Sequence, residues 1–294
     1  MTDATQRCLL VHNQGSGTGS TGGDDIPDDI GKRFELVTID DAADTITTAL
    51  DAHTLGMVAV WGGDGSMRSV AQLLAGTDVA LLACPGGTHN HFATDVGLGT
   101  IEAVRTALAN PKHESVDVGM AGDQVFLNNA NTGWYVDLVS RRQRLEQRMP
   151  RRLAKILSVS IQLFRLRRLY VELDGKAHTV WVAWVGNGRF GMEPGTLAER
   201  DGLANGKLDV RLLLAKGRFP KLRALTTLIQ GEATSSPLMV RQVVDECTFS
   251  FRRESVRFAL DGELTRLVSP VQVVCRPSSL SVMVGPPAAD TTSV

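Results

Sequence analysis

The segment Val58–Leu98 constrains the fold of this chain most, because it repeats one arrangement twice. Two short apolar runs, Val58–Trp61 and Val79–Cys84, each lead into a glycine-rich turn and then into a helical pattern. In an open parallel sheet, such turns place backbone N–H groups at the carboxyl ends of neighbouring strands, where phosphate groups bind. The pattern therefore predicts an α/β domain that binds a nucleotide polyphosphate.

The first turn, Gly62-Gly63-Asp64-Gly65-Ser66, suits a phosphate because glycine has no Cβ to hold the ligand away from the backbone. Asp64 adds a carboxylate that suits a divalent cation. The helix between the two turns has one apolar face and ends at Gly76. That face is formed by Met67, Val70, Ala71 and Leu74. Taken alone, either turn is also compatible with an ordinary α/β loop.

Before this segment, the chain alternates strand and helix in the same way. Arg7–His12 is predicted to be a buried strand that runs into a third glycine-rich turn. Phe34–Ile39 is predicted to be a second strand, and Asp41 is predicted to cap the helix that follows. A further helix is predicted from Ile101 until Asn110-Pro111 ends it. This alternation predicts a doubly wound domain.

Beyond Ser115 the pattern changes to short β-rich runs separated by turn residues, which predicts an antiparallel second domain. Asp174-Gly175 is a strong hairpin signal. Two helical patterns, 149–168 and 221–230, interrupt the runs. We expect a nucleotide-binding domain at 1–118, a β-rich domain at 119–285 whose last strand can pack back on the first domain, and a disordered tail at 286–294.

Composition limits the class of protein. The 294 residues are 43% hydrophobic, and no window approaches the length of a membrane span. The four cysteines are widely spaced and form no CxxC pair, so we expect a reducing cytoplasm. The net charge of −1 hides a basic segment at 141–168 with ten Lys and Arg residues and one acid. This segment suits an anionic membrane surface, and a helix packed on the sheet is the alternative.

The glycine turns belong to a longer series of motifs. Gly62–Ser66 and the later Pro85-Gly86-Gly87-Thr88-His89-Asn90-His91-Phe92-Ala93 resemble the GGDGT and P-x-G-T-x-N-D-F-A motifs of the diacylglycerol kinase and sphingosine kinase superfamily. Val116–Gly119, Trp184–Gly188 and Asp261-Gly262-Glu263 resemble its later D-L-G, V-x-N-G and D-G-E motifs, in the same order. The resemblance covers nearly the whole chain and implies an active site in the cleft between the two domains.

The resemblance also implies roles for individual residues. Asp261 or Glu263 is the expected base, with Asp64 beside the phosphates. The expected nucleotide-binding residues are Asn13, Ser16, Gly17, Thr38, Gly62, Gly63, Asp64, Gly65, Ser66, Gly87, Thr88 and Asn90. The expected metal ligands are Asp64, Asp117, Asp95 and Asn205.

Two positions depart from the family's pattern. His91 occupies the place of a metal-binding aspartate, and a neutral imidazole is a poor ligand for Mg²⁺. Asp95, four residues later on the same helix face, is the candidate replacement. Asn205 replaces an aspartate in a loop that the family uses for a structural metal, so a metal there would meet an uncharged oxygen.

These observations favour an ATP- and Mg²⁺-dependent lipid kinase that phosphorylates a hydroxyl of diacylglycerol, a sphingoid base or a related lipid. We expect it to be cytoplasmic and peripherally membrane-associated, with its lipid substrate presented at a membrane surface. Anionic phospholipid headgroups are possible partners, a homodimer is possible, and no nucleic-acid partner is expected. The alternatives are an NAD kinase, which shares GGDG but carries an Asn-Glu pair not found here, and a catalytically weak regulator of the same fold that binds nucleotide or lipid.

Overall fold

The structure, a computed structural model, describes residues 6–13, 26–87, 90–134, 136, 167–191, 200–216 and 238–286. It divides the chain into two compact units: unit 1 is Met1–Val118 with Pro277–Val294, and unit 2 is Gly119–Arg276. Ser16, Gly17, Thr88, the helical pattern 221–230 and nearly all of the pattern 149–168 lie outside the described residues. No helix within the described ranges is long and apolar enough to cross a membrane.

Unit 1 is an α/β fold built on parallel strands. Its elements are β1 (Arg7–His12), α1 (Asp28–Gly31), β2 (Glu35–Thr38), α2 (Ala42–Asp51), β3 (Leu55–Gly62), α3 (Asp64–Leu74), β4 (Ala80–Pro85), α4 (His91–Asp95) and α5 (Ile101–Ala109). The parallel strands lie in the order β4-β3-β1-β2. The boundary between the units falls within two further strands, β5 (His113–Ala121) and β15 (Val271–Met283). In unit 1, Val282 of β15 pairs in parallel with Leu81 of β4.

The core of unit 1 follows from the hydrophobic pattern of its elements. The central strands β1 and β3 are buried at three of six and six of eight positions, and none of their residues is exposed, as expected for parallel strands covered on both faces. The predicted face of α3 is confirmed, since Met67, Val70, Ala71 and Leu74 are all at most 1% exposed. These side chains fix the direction of α3, and with it the position of the glycine turn at its start.

The capping role predicted for the side chain of Asp41 is wrong, although α2 does begin directly after this residue. Asp41 has helical backbone angles, and its side chain makes no capping hydrogen bond. Instead its carboxylate accepts the hydroxyl hydrogen bond of Thr38 at 2.6 Å. The hydroxyl at the end of β2 is a closer partner for the carboxylate than the N–H groups of the helix.

Unit 2 is antiparallel, as the β-rich half of the sequence predicts. Its strands are β6 (Gln124–Phe126), β7 (Asn129–Gly133), β8 (Leu169–Leu173), β9 (Lys176–Asn187), β10 (Leu208–Leu214), β11 (Met239–Val244), β12 (Glu246–Phe251), β13 (Ser255–Leu260) and β14 (Glu263–Val268), with the first part of β15. Its main path runs β14-β13-β7-β9-β8-β12-β15, and β10 pairs with β9 and β11. The long strand β9 therefore organises the unit, because it pairs with β7, β8 and β10.

The hairpin predicted at Asp174-Gly175 is confirmed. Leu173 pairs with Lys176, and the two turn residues have φ angles of 50° and 78°. Both residues therefore lie in the left-handed region that a two-residue hairpin turn requires. In the same unit, the rings of Phe251 and Phe258 make an edge contact at 5.9 Å.

Candidate functional site

The glycine turns of unit 1 lie at one edge of the parallel sheet. His12 at the end of β1 pairs with Trp61 of β3, and Gly62 at the end of β3 pairs with Pro85 at the end of β4. Asn13, which follows β1, places its amide nitrogen 3.5 Å from the hydroxyl of Ser66 at the start of α3. The turns that the sequence assigns to one phosphate site therefore begin side by side.

The turns after β3 and β4 pack backbone against backbone. A Cβ on Gly87 would lie 2.4 Å from the Cα of Gly63, and a Cβ on Gly86 would lie 2.8 Å from the backbone N of Gly62. Real Cβ atoms essentially never approach other atoms this closely. Glycine at 86 and 87 is therefore a requirement of packing, and it leaves peptide groups at the surface of the turns, where a phosphate can approach them.

Asn90 closes the second turn. The backbone N–H of Gly87 donates to the side-chain oxygen of Asn90 at 2.9 Å, and the amide of Asn90 donates back to the carbonyl of Gly87 at 3.1 Å. Asn90 is also the residue from which α4 begins. This side chain thus supports the conformation of the turn.

The carboxylate of Asp64 joins the two turns. It accepts the backbone N–H of Phe92 at 3.0 Å and that of His91 at 3.4 Å, which are among the first donors of α4. Asp64 therefore accepts hydrogen bonds from N–H groups at the start of α4, a role that the side chain of the residue before a helix usually fills. Because Asp64 is only partly buried, its anionic carboxylate also lies within reach of solvent at the glycine turns.

The metal ligands expected at one site, Asp64, Asp117 and Asp95, all lie in unit 1. Asp117 is only 2% exposed, and its carboxylate accepts the backbone N–H of Ser278 at 2.8 Å. Asp95 lies at the exposed end of α4. Within the described ranges, no group of three or more His, Cys, Asp or Glu side chains is arranged to hold a metal ion. Three described carboxylates are therefore not arranged to bind one Mg²⁺ ion directly, and Asp64 suits an ion that a polyphosphate already carries.

Asn205 and Thr38 both make local contacts. The amide of Asn205 donates to the carbonyl of Asp201 at 2.9 Å, and its oxygen accepts the N–H of Lys207 at 3.2 Å. These bonds close the turn that precedes β10. The hydroxyl of Thr38, in turn, is directed to Asp41 at 2.6 Å. In this structure each side chain supports its own loop.

The carboxylate of Asp261, in unit 2, is held by backbone amides. It accepts the N–H groups of Leu127, Asn128 and Asn129 at 2.7, 2.8 and 2.9 Å. Asp261 has a φ of 49°, and its own N–H donates to the carbonyl of Asn129 at 2.9 Å. Glu263, two residues later, lies at the exposed start of β14. The two acids of the triplet are therefore in different environments.

Sequence reasoning did not assign roles to the asparagines that complete this arrangement. Asn187 is 1% exposed, and its amide donates to the carbonyl of Leu127 at 3.0 Å. The side-chain oxygen of Asn128 accepts from Arg200 at 2.9 Å. Asn187 of the motif Trp184–Gly188 and Asp261 of the motif Asp261-Gly262-Glu263 thus meet around the loop 127–129. The available signal was asparagine inside apolar runs, where an unpaired amide is costly.

A second polar cluster in unit 2 was also missed. Asp209 is fully buried, and its carboxylate accepts bidentate hydrogen bonds from both Arg211 and Arg241, the shortest at 2.7 Å. Burial alone would raise the pKa of Asp209, but the hydrogen bonds from Arg241 and Arg211 outweigh it and hold the pKa below its usual value. The two guanidinium groups also donate to the carbonyl of Phe190. The signal was an acid and an arginine two residues apart on one face of β10, inside an apolar strand.

Comparisons with known proteins agree with this geometry. Residues 7–121 match the family model described as the diacylglycerol kinase catalytic domain. A Pseudomonas putida protein named "Probable lipid kinase YegS-like" is 32% identical over 205 residues, which are 65% of this chain and 66% of that protein. A Mycobacterium tuberculosis diacylglycerol kinase is 30% identical over 59% of this chain and 60% of its own length. The chain thus spans about two thirds or less of these two relatives.

A structural comparison extends the likeness to both units. The crystal structure of a diacylglycerol kinase from Bacillus anthracis matches with a TM-score of 0.65 at 18% identity, over 97% of this chain and 98% of that one. At this identity the match shows the fold. The catalytic-domain match and the relatives named lipid kinase and diacylglycerol kinase support a kinase that acts on an alcohol group. Residues 7–121 thus match the catalytic domain of the diacylglycerol kinase family, and the chain is similar to proteins of that family beyond these residues.

Proposed function

We propose that this protein transfers the γ-phosphate of ATP to the hydroxyl of a lipid such as diacylglycerol or a sphingoid base. The observation that carries the proposal is the packing of the two glycine turns, where a Cβ on Gly87 would lie 2.4 Å from Gly63. Turns this close leave backbone N–H groups as the donors for phosphate oxygens. Phosphoryl transfer depends mainly on positioning and electrostatic stabilisation, which such turns supply.

In this proposal Asp64 and the first N–H groups of α3 bind the phosphate groups of the nucleotide and their metal ion. The first N–H groups of a helix have no partner within it, and the helix dipole favours an anion there. α3 begins at Asp64, directly after the glycine pair. Mg²⁺ bound to the triphosphate would neutralise part of its charge, and Asp64 is the carboxylate at these turns that would face it. Asp117 and Asn205 are engaged elsewhere, so we assign them structural roles.

For the acceptor side we propose that Glu263 is the general base and that Asp261 positions it. A base must have an accessible lone pair for the proton of the hydroxyl that attacks. The oxygens of Asp261 already accept three backbone N–H bonds, whereas Glu263 is exposed to solvent. Asp261 fixes the turn from which Glu263 projects. The acceptor hydroxyl would give its proton to Glu263 as its oxygen bonds to the γ-phosphorus and ADP leaves.

The test is a phosphate-transfer screen. Purified protein is incubated with γ-labelled ATP, Mg²⁺ and extracted total lipids, and labelled lipids are separated and identified. We expect label in one class of lipid with a free hydroxyl, and none when Mg²⁺ is chelated. Label in NAD instead would favour the NAD kinase alternative, and nucleotide binding without transfer to any acceptor would favour a regulator of the same fold.

A further inference from the structure

One end of unit 2 gathers exposed arginines from two neighbouring strands. Arg252 and Arg253 follow β12, and Arg167 and Arg168 precede β8; all four are exposed. β8 and β12 are antiparallel partners, so the end of one strand lies beside the start of the other. The guanidinium of Arg252 confirms this proximity, since it stacks over the ring of Tyr170 at 4.3 Å. We call this surface the arginine end of unit 2.

Apolar side chains are exposed at the same end. Tyr170 is 49% exposed and Val268, the last residue of β14, is 68% exposed. The residue after Val268 is tied to the arginine segment, because the hydroxyl of Ser269 accepts the N–H of Phe251 at 2.9 Å and its N–H donates to the carbonyl of Glu254 at 2.7 Å. The arginine end therefore presents an exposed valine and an aromatic ring among cations.

A pocket of about 240 Å³ lies beside the stacked pair. Tyr170, His178, Ser250 and Arg252 line it, together with the carboxylate of Glu172. Burial, with the charges of Lys216 and Lys176, lowers the pKa of His178, so the imidazole is neutral at neutral pH. Glu172 and Glu254 offset part of the positive charge, but four guanidinium groups exceed two carboxylates. The surface keeps a net positive charge at neutral pH.

The surface also continues a feature of the sequence. Arg167 and Arg168 are the last residues of the basic segment 141–168, while the rest of the chain is acidic overall. A chain with a net charge of −1 thus concentrates its positive charge in a segment that ends at this surface. Complementary charge is what an anionic bilayer offers a protein, and aromatic and apolar side chains add contact at the level of the headgroups.

We propose that the arginine end of unit 2 docks on a bilayer surface that carries anionic phospholipids. This inference extends the proposed function, because a kinase that phosphorylates a lipid must reach its substrate at a membrane. A nucleic acid could also attract the guanidinium groups, but it would leave Val268 without an apolar partner. The exposed valine beside arginine therefore favours the bilayer.

The experiment is co-sedimentation of the whole protein with phosphatidylcholine vesicles, with and without equal parts of phosphatidylglycerol. We expect stronger binding to the anionic vesicles, weakening with salt as screening increases. Arg252→Gln with Arg253→Gln should weaken it by about 25-fold, at about fivefold per arginine. Val268→Ser should weaken it with the salt dependence unchanged. The matched control is Arg33→Gln with Lys112→Gln, two exposed cations of unit 1, which should bind as the wild type does.

Two results would overturn the inference. One is equal binding to neutral and anionic vesicles, and the other is an equal loss of binding in the control pair. Inorganic phosphate at matched ionic strength should leave vesicle binding unchanged, and strong competition by it would instead indicate a site for a soluble phosphate group.

Phosphorylation of a detergent-dispersed, short-chain diacylglycerol separates this inference from the proposed function. The Arg252→Gln, Arg253→Gln variant should keep wild-type turnover in that assay. If the protein phosphorylates lipid but shows no preference for anionic vesicles, the docking inference is wrong and the proposed function stands. If the protein binds anionic vesicles but phosphorylates no lipid, the proposed function is wrong instead.

Discussion

The variant Asp261→Asn should destabilise unit 2, because an amide cannot replace the carboxylate that organises the loop before β7. Asp261 accepts three backbone N–H bonds, two on Oδ1 and one on Oδ2. Asparagine tolerates the positive φ of 49° at this position, so backbone strain contributes little to the effect. The substitution therefore isolates the hydrogen bonds.

The expected magnitude follows from the three contacts. In its best orientation asparagine keeps its oxygen opposite Asn128 and Asn129, and turns its NH₂ group toward the N–H of Leu127. The partly buried N–H of Leu127 then faces another donor and loses its hydrogen bond, which costs about 1–3 kcal/mol. The two remaining bonds lose their charge assistance, at about 1 kcal/mol together in this partly exposed place. We expect unit 2 to lose about 2–4 kcal/mol of its free energy of unfolding.

The assay is urea unfolding followed by tryptophan fluorescence, since Trp181 and Trp184 both lie in unit 2. Glu263→Gln is the matched control, because it also removes one negative charge from the triplet but at an exposed position. It should change stability by no more than about 0.5 kcal/mol and lower lipid phosphorylation by about 100-fold. If Asp261→Asn unfolds within about 1 kcal/mol of the wild type, or if Glu263→Gln keeps normal turnover at saturating nucleotide and lipid, the division of roles between the two acids is wrong.

Three further predictions test the other clusters. Asp64→Ala should lower phosphate transfer by about 100-fold or more and lower the free energy of unfolding by about 1 kcal/mol, because the contact with α4 is lost. Asp64→Asn should keep most of the stability but not the activity. More than a tenth of wild-type activity in either variant would contradict the role proposed for Asp64 at the nucleotide. Gly87→Ala should weaken ATP binding, measured by calorimetry, because its Cβ would lie 2.4 Å from Gly63, while Gly31→Ala, where the nearest atom would be 3.3 Å away, should bind normally. Asp209→Asn should cost about 3–5 kcal/mol by leaving two guanidinium groups without their carboxylate. Because the pKa of Asp209 is lowered in the folded protein, its stabilisation is complete above the unfolded value of about 3.9 and is lost as the pH falls through the lower folded value. Urea midpoints measured against pH should therefore fall less steeply at acid pH in Asp209→Asn, and an equal slope in both proteins would refute this.

Local pattern was sufficient for much of the fold. The strand Arg7–His12, the buried face of α3 and the hairpin at Asp174-Gly175 agree with the structure, because each depends on neighbours within one element. Asp41 was predicted correctly as the residue before a helix and wrongly as its side-chain cap. A competing hydroxyl three residues earlier changed its partner, and hydrophobic periodicity contains no information on such competition.

Contacts between residues far apart in the sequence could not be predicted from local patterns. Asp261 meets amides more than 130 positions earlier in the chain, and Arg241 reaches Asp209 across 32 positions. Nothing in the spacing of these residues indicates that they touch. The motif order placed Asp261 and Glu263 together as candidate bases, but only the hydrogen-bond partners distinguish an acid held by three amides from one open to solvent.

Unit 1 cannot complete its sheet until β15 has been synthesised. Residues 277–294 belong to this unit, and within it Gly285 packs against the backbone of Gly97 while its N–H donates to the carbonyl of Val96 at 2.8 Å. During synthesis, residues 1–118 leave the ribosome long before this strand exists. Domains generally fold as they emerge, N-terminal first, but here the outer side of β4 lacks Val282 until nearly the whole chain has been made. Unit 1 must therefore remain incomplete during translation, and a ribosome that stops before residue 277 releases a chain whose glycine turns are present but whose sheet is not finished.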